Sequence, residues 1–269
     1  MNREQQIELT IHFFVLIPKG DLKHNLELRI DRFLMSEGRS ESLDTAKYDQ
    51  LFGNKRKADY LLADKQIVAE LKTLTASPKT RIEQRLKRRL SEPGAPIVFG
   101  SIGMSNILDG MPDGEDFTRI MLDLAGRSVR RHLTKSATQI RNTQSILGQP
   151  NAAGLTILAN DSEPMISLVD AAYAVKAAFE KNGAGFESID FIWLLNENHF
   201  IRAPDGRLGF GQAMVSTSNR NVPHRGFIGH MIDAWAAFNG MEILFVPHHS
   251  KWESIEVVFE EGPPTLSGY

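Results

Sequence analysis

The chain contains no cysteine among its 269 residues. Disulfide bonds, thiolate metal sites and a cysteine nucleophile are therefore excluded, and the absence fits a cytoplasmic protein. A strong net charge is also missing, because 31 Lys and Arg residues stand against 33 Asp and Glu residues. Whole-molecule charge thus gives no argument for a polyanionic partner, and any nucleic-acid surface must come from local clustering.

Several sequence motifs are absent as well. The apolar run at residues 12–17 is too short to cross a bilayer, so no membrane partner is expected. There is no Walker A loop and no Gly-x-Ser-x-Gly nucleophile motif. The histidines of the second half include no pair at the i, i+4 spacing of a helical zinc site, and we interpret them as structural or surface residues. They are His199, His224, His230, His248 and His249.

The alternation of apolar patterns predicts one elaborated α/β domain over residues 1–269, with a division near residue 150 as the alternative. The core motifs fall in about 21–160 and a C-terminal extension in about 161–269. Predicted helices cover 21–35, 77–90, 116–133, 136–147, 165–181 and 230–238, and predicted strands cover 7–17, 60–62, 67–69, 97–102, 154–159, 189–195, 242–247 and 253–259. Loops are expected at 38–45 and 109–115, a hairpin tip at 204–206, and Asp21 as the first helix cap.

Residues 57–72 predict a β-hairpin with a polar turn at 63–66. If that turn closes the hairpin, Asp59 lies opposite Glu70, and the pleat puts Lys72 on the same face as Glu70. Directly opposed side chains have Cβ atoms roughly 4.5–5.5 Å apart, where like charges repel. A cation such as Mg²⁺, which takes oxygen ligands and keeps several waters, would relieve that repulsion. The alternative is an exposed strand pair with a Glu–Lys surface contact.

Asp59, a ten-residue gap and then Glu70-Leu71-Lys72 resemble the PD-(D/E)xK nuclease signature, although Ala58 stands where many members have proline. The resemblance implies an α/β fold with a restriction-endonuclease-like core, in which helices flank a mixed central sheet, followed by a C-terminal α/β elaboration. It also implies that Asp59 and Glu70 bind Mg²⁺ or Mn²⁺, with the Leu71 carbonyl as a further ligand. Lys72 would assist the attack of water.

The same resemblance implies further site residues on two helices. An acid on the helix before the hairpin often joins the metal site, and Glu27 matches it best, with Asp31 as the competitor. On the later helix Lys135, Gln139 and Asn142 share one face, and Gln139 resembles the glutamine of several subfamilies. The alternative for both helices is a solvent-facing polar surface.

Basic residues crowd the predicted helix at 77–90. Beside a metal site, such a helix is expected to contact a phosphate backbone, with Arg81, Arg85, Arg88 and the more distant Lys135 as the contact residues. The alternative is a solvated basic helix.

These features together predict a metal-dependent nuclease that hydrolyses phosphodiester bonds of DNA. The segment after about residue 160 would shape substrate choice or dimerisation, so a homodimer is an open alternative. Two other classes remain: a nucleic-acid-binding or assembly protein without cleavage, and a small-molecule enzyme in which the acidic hairpin is structural. The nuclease hypothesis requires Asp59 and Glu70 to share an ion, with neither buried against apolar side chains.

Overall fold

A computed structural model describes residues 9–19, 25–74, 79–93, 114–162, 166–202, 206–217 and 224–245. Six α-helices and eight strands fall within these residues. The helices are α1 (Leu26–Ser36), α2 (Ala46–Phe52), α3 (Lys79–Leu90), α4 (Gly114–Ile146), α5 (Leu168–Asn182) and α6 (Arg225–Phe238). The strands are β1 (Leu9–Pro18), β2 (Glu41–Ser42), β3 (Tyr60–Leu62), β4 (Ile67–Thr73), β5 (Ala153–Asn160), β6 (Phe191–Arg202), β7 (Leu208–Thr217) and β8 (Met241–Phe245). None of the described helices is both long and apolar enough to span a bilayer.

All eight strands form one mixed sheet in the order β2-β3-β4-β5-β6-β7-β1-β8. The central strands β4, β5 and β6 are parallel, and every other neighbouring pair is antiparallel. The predicted α/β class is therefore confirmed. Strands from both halves of the sequence take part, since β1 and β8 pair with each other.

The sheet is buried on both faces, which explains why β5 reads as a nearly continuous apolar run. Side chains alternate between two cores, so Val68 of β4 faces a core with α4 and α5, whereas Ile67 and Ala69 face a core with α1 and α6. Each core contains large side chains, Phe179 in the first and Trp193 in the second. We call these two sides the α4 face and the α1 face.

The hairpin of β3 and β4 has the predicted register, with Tyr60 opposite Ala69 and Leu62 opposite Ile67. Its turn runs through three consecutive non-glycine residues with positive φ, which is an uncommon conformation. These are Ala63, Asp64 and Lys65, with φ of 51°, 53° and 71°. Arg39 holds the turn, because its Nε donates to the Asp64 carboxylate at 2.7 Å and its carbonyl accepts from the Asp64 N–H at 3.2 Å.

The two helices predicted at 116–133 and 136–147 are one helix of 33 residues, α4. The expected break at Thr134 and Lys135 does not occur, because neither residue interrupts a helix and the buried stripe continues across them. That stripe consists of Val129, Leu133, Ala137 and Ile140. The long helix therefore forms the last part of the crossover from β4 to the parallel strand β5, after α3.

Other boundaries differ from the predictions. The helix predicted to begin at Asp21 begins at Leu26, where the Asn25 side chain accepts from the Leu28 N–H at 2.8 Å. Helix α2 was not predicted, since only two of its side chains, Tyr48 and Phe52, are buried. The short strand β2 lies inside the expected loop at 38–45, and α6 begins five residues before the predicted 230.

Three predictions lie outside the described residues. They concern the strands at 97–102 and 253–259 and most of the hairpin tip at 204–206. Most of the loop expected at 109–115 is also outside, and its last two residues belong to α4.

Candidate functional site

Asp59, Glu70 and Lys72 converge on the α4 face of the sheet. Asp59 immediately precedes β3, and its N–H donates at 3.1 Å to the carbonyl of Ala69, the residue opposite Tyr60. On the neighbouring strand, the Leu71 N–H donates to Asp59 Oδ2 at 2.8 Å and so holds the carboxylate against β4. The three residues that carry the predicted signature therefore lie together.

Glu70 is completely enclosed, with no exposed surface. Lys72 Nζ contacts Glu70 Oε1 directly, and the lysine side chain keeps 18% of its surface exposed. The second carboxylate oxygen, Oε2, has no hydrogen-bond partner among the described residues. The nuclease hypothesis required that neither Asp59 nor Glu70 be buried against apolar side chains. Glu70 is more deeply buried than that hypothesis expected, although two charged groups, Asp59 and Lys72, lie beside it.

Burial raises the pKa of Glu70 to about 8, and the charge of Asp59 adds to the increase, while Lys72 acts in the opposite direction. The pKa of Asp59 is also raised, by burial first, against the lowering effects of the Leu71 N–H and of Lys72. The interaction between the two carboxyl groups contributes to both pKa values. The pair therefore retains a proton near neutral pH, and the protons of such a pair belong to both groups.

Helix α4 holds the segment that leads into Asp59. Gln139 Nε2 donates to the Lys57 carbonyl at 2.7 Å, and Asn142 Nδ2 donates to the Arg56 carbonyl at 3.1 Å. One position further along the helix, the Thr143 hydroxyl accepts from the Ala58 N–H at 2.8 Å. Gln139, predicted as a site residue, thus fixes the backbone before Asp59 in this structure.

Glu27 does not join the acidic pair. Its Oε2 accepts from the Thr73 hydroxyl at 2.6 Å, and Thr73 points to the α1 face whereas Lys72 points to the α4 face. The competitor Asp31 accepts from the Tyr60 hydroxyl at 2.8 Å, also on the α1 face. The helix-borne acid expected from the resemblance is therefore separated from Asp59 and Glu70 by the sheet.

The predicted nucleic-acid contacts lie on two helices. Lys135 is exposed on α4, one turn before Gln139, and Arg85 and Arg88 are exposed on α3. Arg81 belongs to α3, but its side chain lies outside the described residues.

Three polar residues near the pair were not predicted. Thr156 of β5 lies beside Glu70 in the parallel register, while Ser136 and His132 occupy successive turns of α4. Each has a buried polar atom without a partner among the described residues: Thr156 Oγ1, Ser136 Oγ and His132 Nδ1. Only their positions in the sequence could have revealed them. Thr156 is the one polar residue in the apolar run 153–159, and Ser136 is next to Ala137, which belongs to the buried stripe of α4.

His132 is the third ionisable group near Lys72. Burial lowers the pKa of His132 to about 4, with further lowering by the charges of Arg131, Lys72 and Lys135. The imidazole is therefore neutral at physiological pH and can accept or donate a hydrogen bond.

The carboxylates of Asp59 and Glu70 are suited to a cation such as Mg²⁺ that takes few protein ligands and keeps several waters. The described residues contain no group of three or more His, Cys, Asp or Glu side chains arranged to hold a metal ion. Two acids with a shared proton and an unpartnered oxygen, Glu70 Oε2, nevertheless match the requirement of Mg²⁺, which binds through one or two carboxylates and retains waters. Comparisons of the chain with models of protein families, with curated proteins and with solved structures found no match.

Proposed function

We propose that the protein is a metal-dependent phosphodiesterase that cleaves DNA, with its catalytic centre at Asp59, Glu70 and Lys72. The observation that carries the proposal is the pairing of the buried Glu70 with the half-buried Asp59, two carboxyl groups whose pKa values are both raised. Perturbed acids that share a site are typical of functional centres, since a fold gains no stability from repulsion between them.

Asp59 and Glu70 would hold Mg²⁺ or Mn²⁺, with the Leu71 carbonyl as a further ligand by family resemblance. When bound, such an ion lowers the pKa of a coordinated water and offsets charge on the scissile phosphate. The role of Asp59 is supported by its orientation, because the Leu71 N–H occupies Oδ2. Its other oxygen, Oδ1, would then be the atom that binds the ion.

Lys72 would change partner during the reaction. Its ammonium group now neutralises Glu70, and it retains some contact with solvent. With a cation bound at Asp59 and Glu70, Lys72 would be able to donate to a phosphate oxygen or to the attacking water. Its neighbour His132 is neutral at physiological pH and does not compete for the phosphate charge.

DNA would contact the exposed basic residues Lys135, Arg85 and Arg88, with Arg81 on the same helix as Arg85. Contacts of this type are made to phosphates and do not read the base sequence. Binding is therefore expected to weaken steeply with salt. The mixed sheet with helices on both faces supports the restriction-endonuclease-like assignment, which is part of this proposal.

A second candidate function is a nucleic-acid-binding protein without cleavage. The observation that favours it is the enclosure of Glu70, whose Oε1 is already neutralised by Lys72. In that case the lysine replaces the metal permanently, and the basic surface of the protein is its functional part.

The deciding experiment measures cleavage of duplex and single-stranded DNA with Mg²⁺ or Mn²⁺, together with DNA binding in EDTA. The test variants are Asp59→Asn, Glu70→Gln and Lys72→Met. Matched controls are Glu180→Gln and Lys176→Met, since Lys176 and Glu180 form an exposed helical ion pair. The nuclease proposal expects wild-type cleavage, retained DNA binding in all variants and loss of cleavage by at least about 100-fold in the three test variants alone.

Each other outcome selects a different function. DNA binding by the wild type without cleavage under any divalent cation supports the second candidate. Absence of both cleavage and binding at low salt overturns both functions and leaves the acidic hairpin as a structural element. Cleavage that survives Glu70→Gln would place the catalytic centre elsewhere in the chain.

A further inference from the structure

Three fully buried oxygen atoms on three different elements lack a partner within the described part of the chain. They are Glu70 Oε2 on β4, Thr156 Oγ1 on β5 and Ser136 Oγ on α4, and all three residues have no exposed surface. An isolated buried polar atom is costly, and a native structure normally satisfies it with protein or with water. Three such atoms in one region require a common explanation.

The register of the sheet brings two of these atoms together. Glu70 and Thr156 are Cα partners in the parallel pair of β4 and β5, and both side chains point to the α4 face. The two oxygens therefore flank the same position on the sheet, without a direct hydrogen bond between them.

The packing of α4 places the third atom above them. Helix α4 runs antiparallel to β5, since Gln144 near its C-terminal end donates at 2.7 Å to the carbonyl of Ala152, just before the strand begins. Its residue Ile140 lies over Gly154, where a Cβ would be 3.0 Å from Ile140 Cγ2. Ser136 lies one helical turn before Ile140, about 6 Å back along the axis of α4. Thr156 lies two residues after Gly154, nearly the same distance along β5.

We propose that these three oxygens bind one ordered water between α4 and the sheet, and that this water orients Glu70. A buried water typically makes about three hydrogen bonds, which is the number of partners available here. Both hydroxyls can donate or accept, so the water can donate to Glu70 Oε2 while it bonds to Thr156 and Ser136. The carboxylate is thereby held with Oε1 toward Lys72.

Thr156 and Ser136 are accordingly positioning residues that act through Glu70, and this role rests on the proposed function of the acidic pair. Outer partners of a metal-binding carboxylate fix its orientation, and their removal typically weakens metal affinity about 10–100-fold. Neither residue touches the phosphate or the ion.

The first test measures Mn²⁺ affinity by isothermal titration calorimetry. Thr156→Val and Ser136→Ala are each expected to weaken binding about tenfold, and Thr156→Ser to restore it. The double variant should weaken binding little beyond either single variant, because both act on the same water. The matched control is Thr217→Val, a buried strand threonine on β7, two strands from β5 in the sheet, which should bind Mn²⁺ as the wild type does.

The second test needs no metal. The urea midpoint of Thr156→Val is measured in the wild-type background and in the Glu70→Met background, which lacks both carboxylate oxygens. We expect a clear decrease in the wild-type background and a much smaller one in the Glu70→Met background, since the water has then lost its third partner. Thr217→Val should lower the midpoint equally in both backgrounds. If Glu70→Met does not fold, Glu70→Gln replaces it, with a smaller expected difference.

The two tests separate this inference from the proposed function. Equal effects of Thr156→Val in both backgrounds overturn the bridging water even if the wild type binds Mn²⁺. Failure of the wild type to bind Mn²⁺ overturns the metal role of the site, while a background-dependent effect of Thr156→Val still supports the water. A crystal structure with a direct bond from the Thr156 hydroxyl to Glu70, and no water between them, would also overturn it.

Discussion

Within the described residues, two acid–base clusters have little exposure to solvent, one on each face of the sheet. On the α1 face, Arg29 contacts Glu197 directly, donates to Asn239 Oδ1 at 2.8 Å and lies 5.5 Å from the centre of the Trp235 ring. On the α4 face, Lys72 contacts Glu70 next to Asp59. Both clusters raise the pKa of a buried glutamate, with burial as the main cause.

The second largest influence on each glutamate differs between the clusters. For Glu197 it is the cation Arg29, which lowers the pKa, and the acid Asp161 contributes least. For Glu70 it is the charge of the acid Asp59, which raises the pKa, and the lowering effect of the Lys72 charge comes after it. The first cluster thus has its countercharge, fixed by the planar guanidinium, whereas the second has an excess of acid that a further cation would balance.

The largest expected effect is on stability. Replacing Arg29 with Met leaves Glu197 buried without its countercharge and should lower the unfolding free energy by about 3–5 kcal/mol at pH 7. Lys72→Met should cost less than half as much, because Glu70 can remain protonated. Urea denaturation measures both, and Lys176→Met at an exposed pair should change stability by no more than about 0.5 kcal/mol. Equal losses of unfolding free energy in Arg29→Met and Lys72→Met would mean that the two glutamates depend equally on their countercharges.

The pH dependence of stability tests the excess of acid. A glutamate whose pKa is raised from 4.5 to about 8 on folding stabilises the native state below pH 4.5, and this contribution is lost as the pH rises toward 8. Glu70→Gln removes the effect. Between pH 4.5 and 8, the unfolding free energy of the variant relative to the wild type should therefore rise by up to about 1.4 kcal/mol per pH unit. Urea denaturation from pH 5 to 8 measures the trend. Glu180→Gln, exposed on α5, should show none.

Metal binding should release a proton from the pair. Because Asp59 and Glu70 retain a proton below about pH 8, Mn²⁺ affinity is expected to rise about tenfold per pH unit between pH 6 and 8. Calorimetry in buffers of different ionisation enthalpy measures the released proton directly. An affinity independent of pH would show that the ion binds outside the acidic pair.

The smallest expected effect is that of Glu27, which lies on the α1 face while Asp59 and Glu70 lie on the α4 face. Glu27→Gln alters only an exposed hydrogen bond with Thr73, so it should change Mn²⁺ affinity less than about twofold and stability by no more than about 0.5 kcal/mol. The same measurements as above apply. A tenfold loss of Mn²⁺ affinity would instead bring the helix-borne acid back into the metal site.

Much of the local structure was predictable from the sequence. The hairpin register followed from turn length, and alternation placed Glu70 and Lys72 on one face, beside Asp59. Strand β5 and helix α5 were recognised from buried and amphipathic patterns. The continuity of α4 was missed because polar residues on its exposed side resemble a break. Helix α2 was missed because two buried residues are too few to establish a period.

The relation between distant elements could not be predicted. Gln139 and Glu27 were both chosen from helices near the hairpin, yet one binds backbone beside Asp59 and the other lies across the sheet. Ser136 and Thr156 are far from Glu70 in sequence, and no periodic pattern connects them with it. Their common position depends on how α4 packs against β5.

The sequence by itself determined the acidic pair, since two strands joined by a short turn have one register and alternation decides which side chains share a face. Only the tertiary structure decided how far each acid is buried, because α4 covers that face of the sheet and removes water from Glu70. Burial then raises the pKa of both acids, a property that depends on the surrounding solvent and charges and not on residue type.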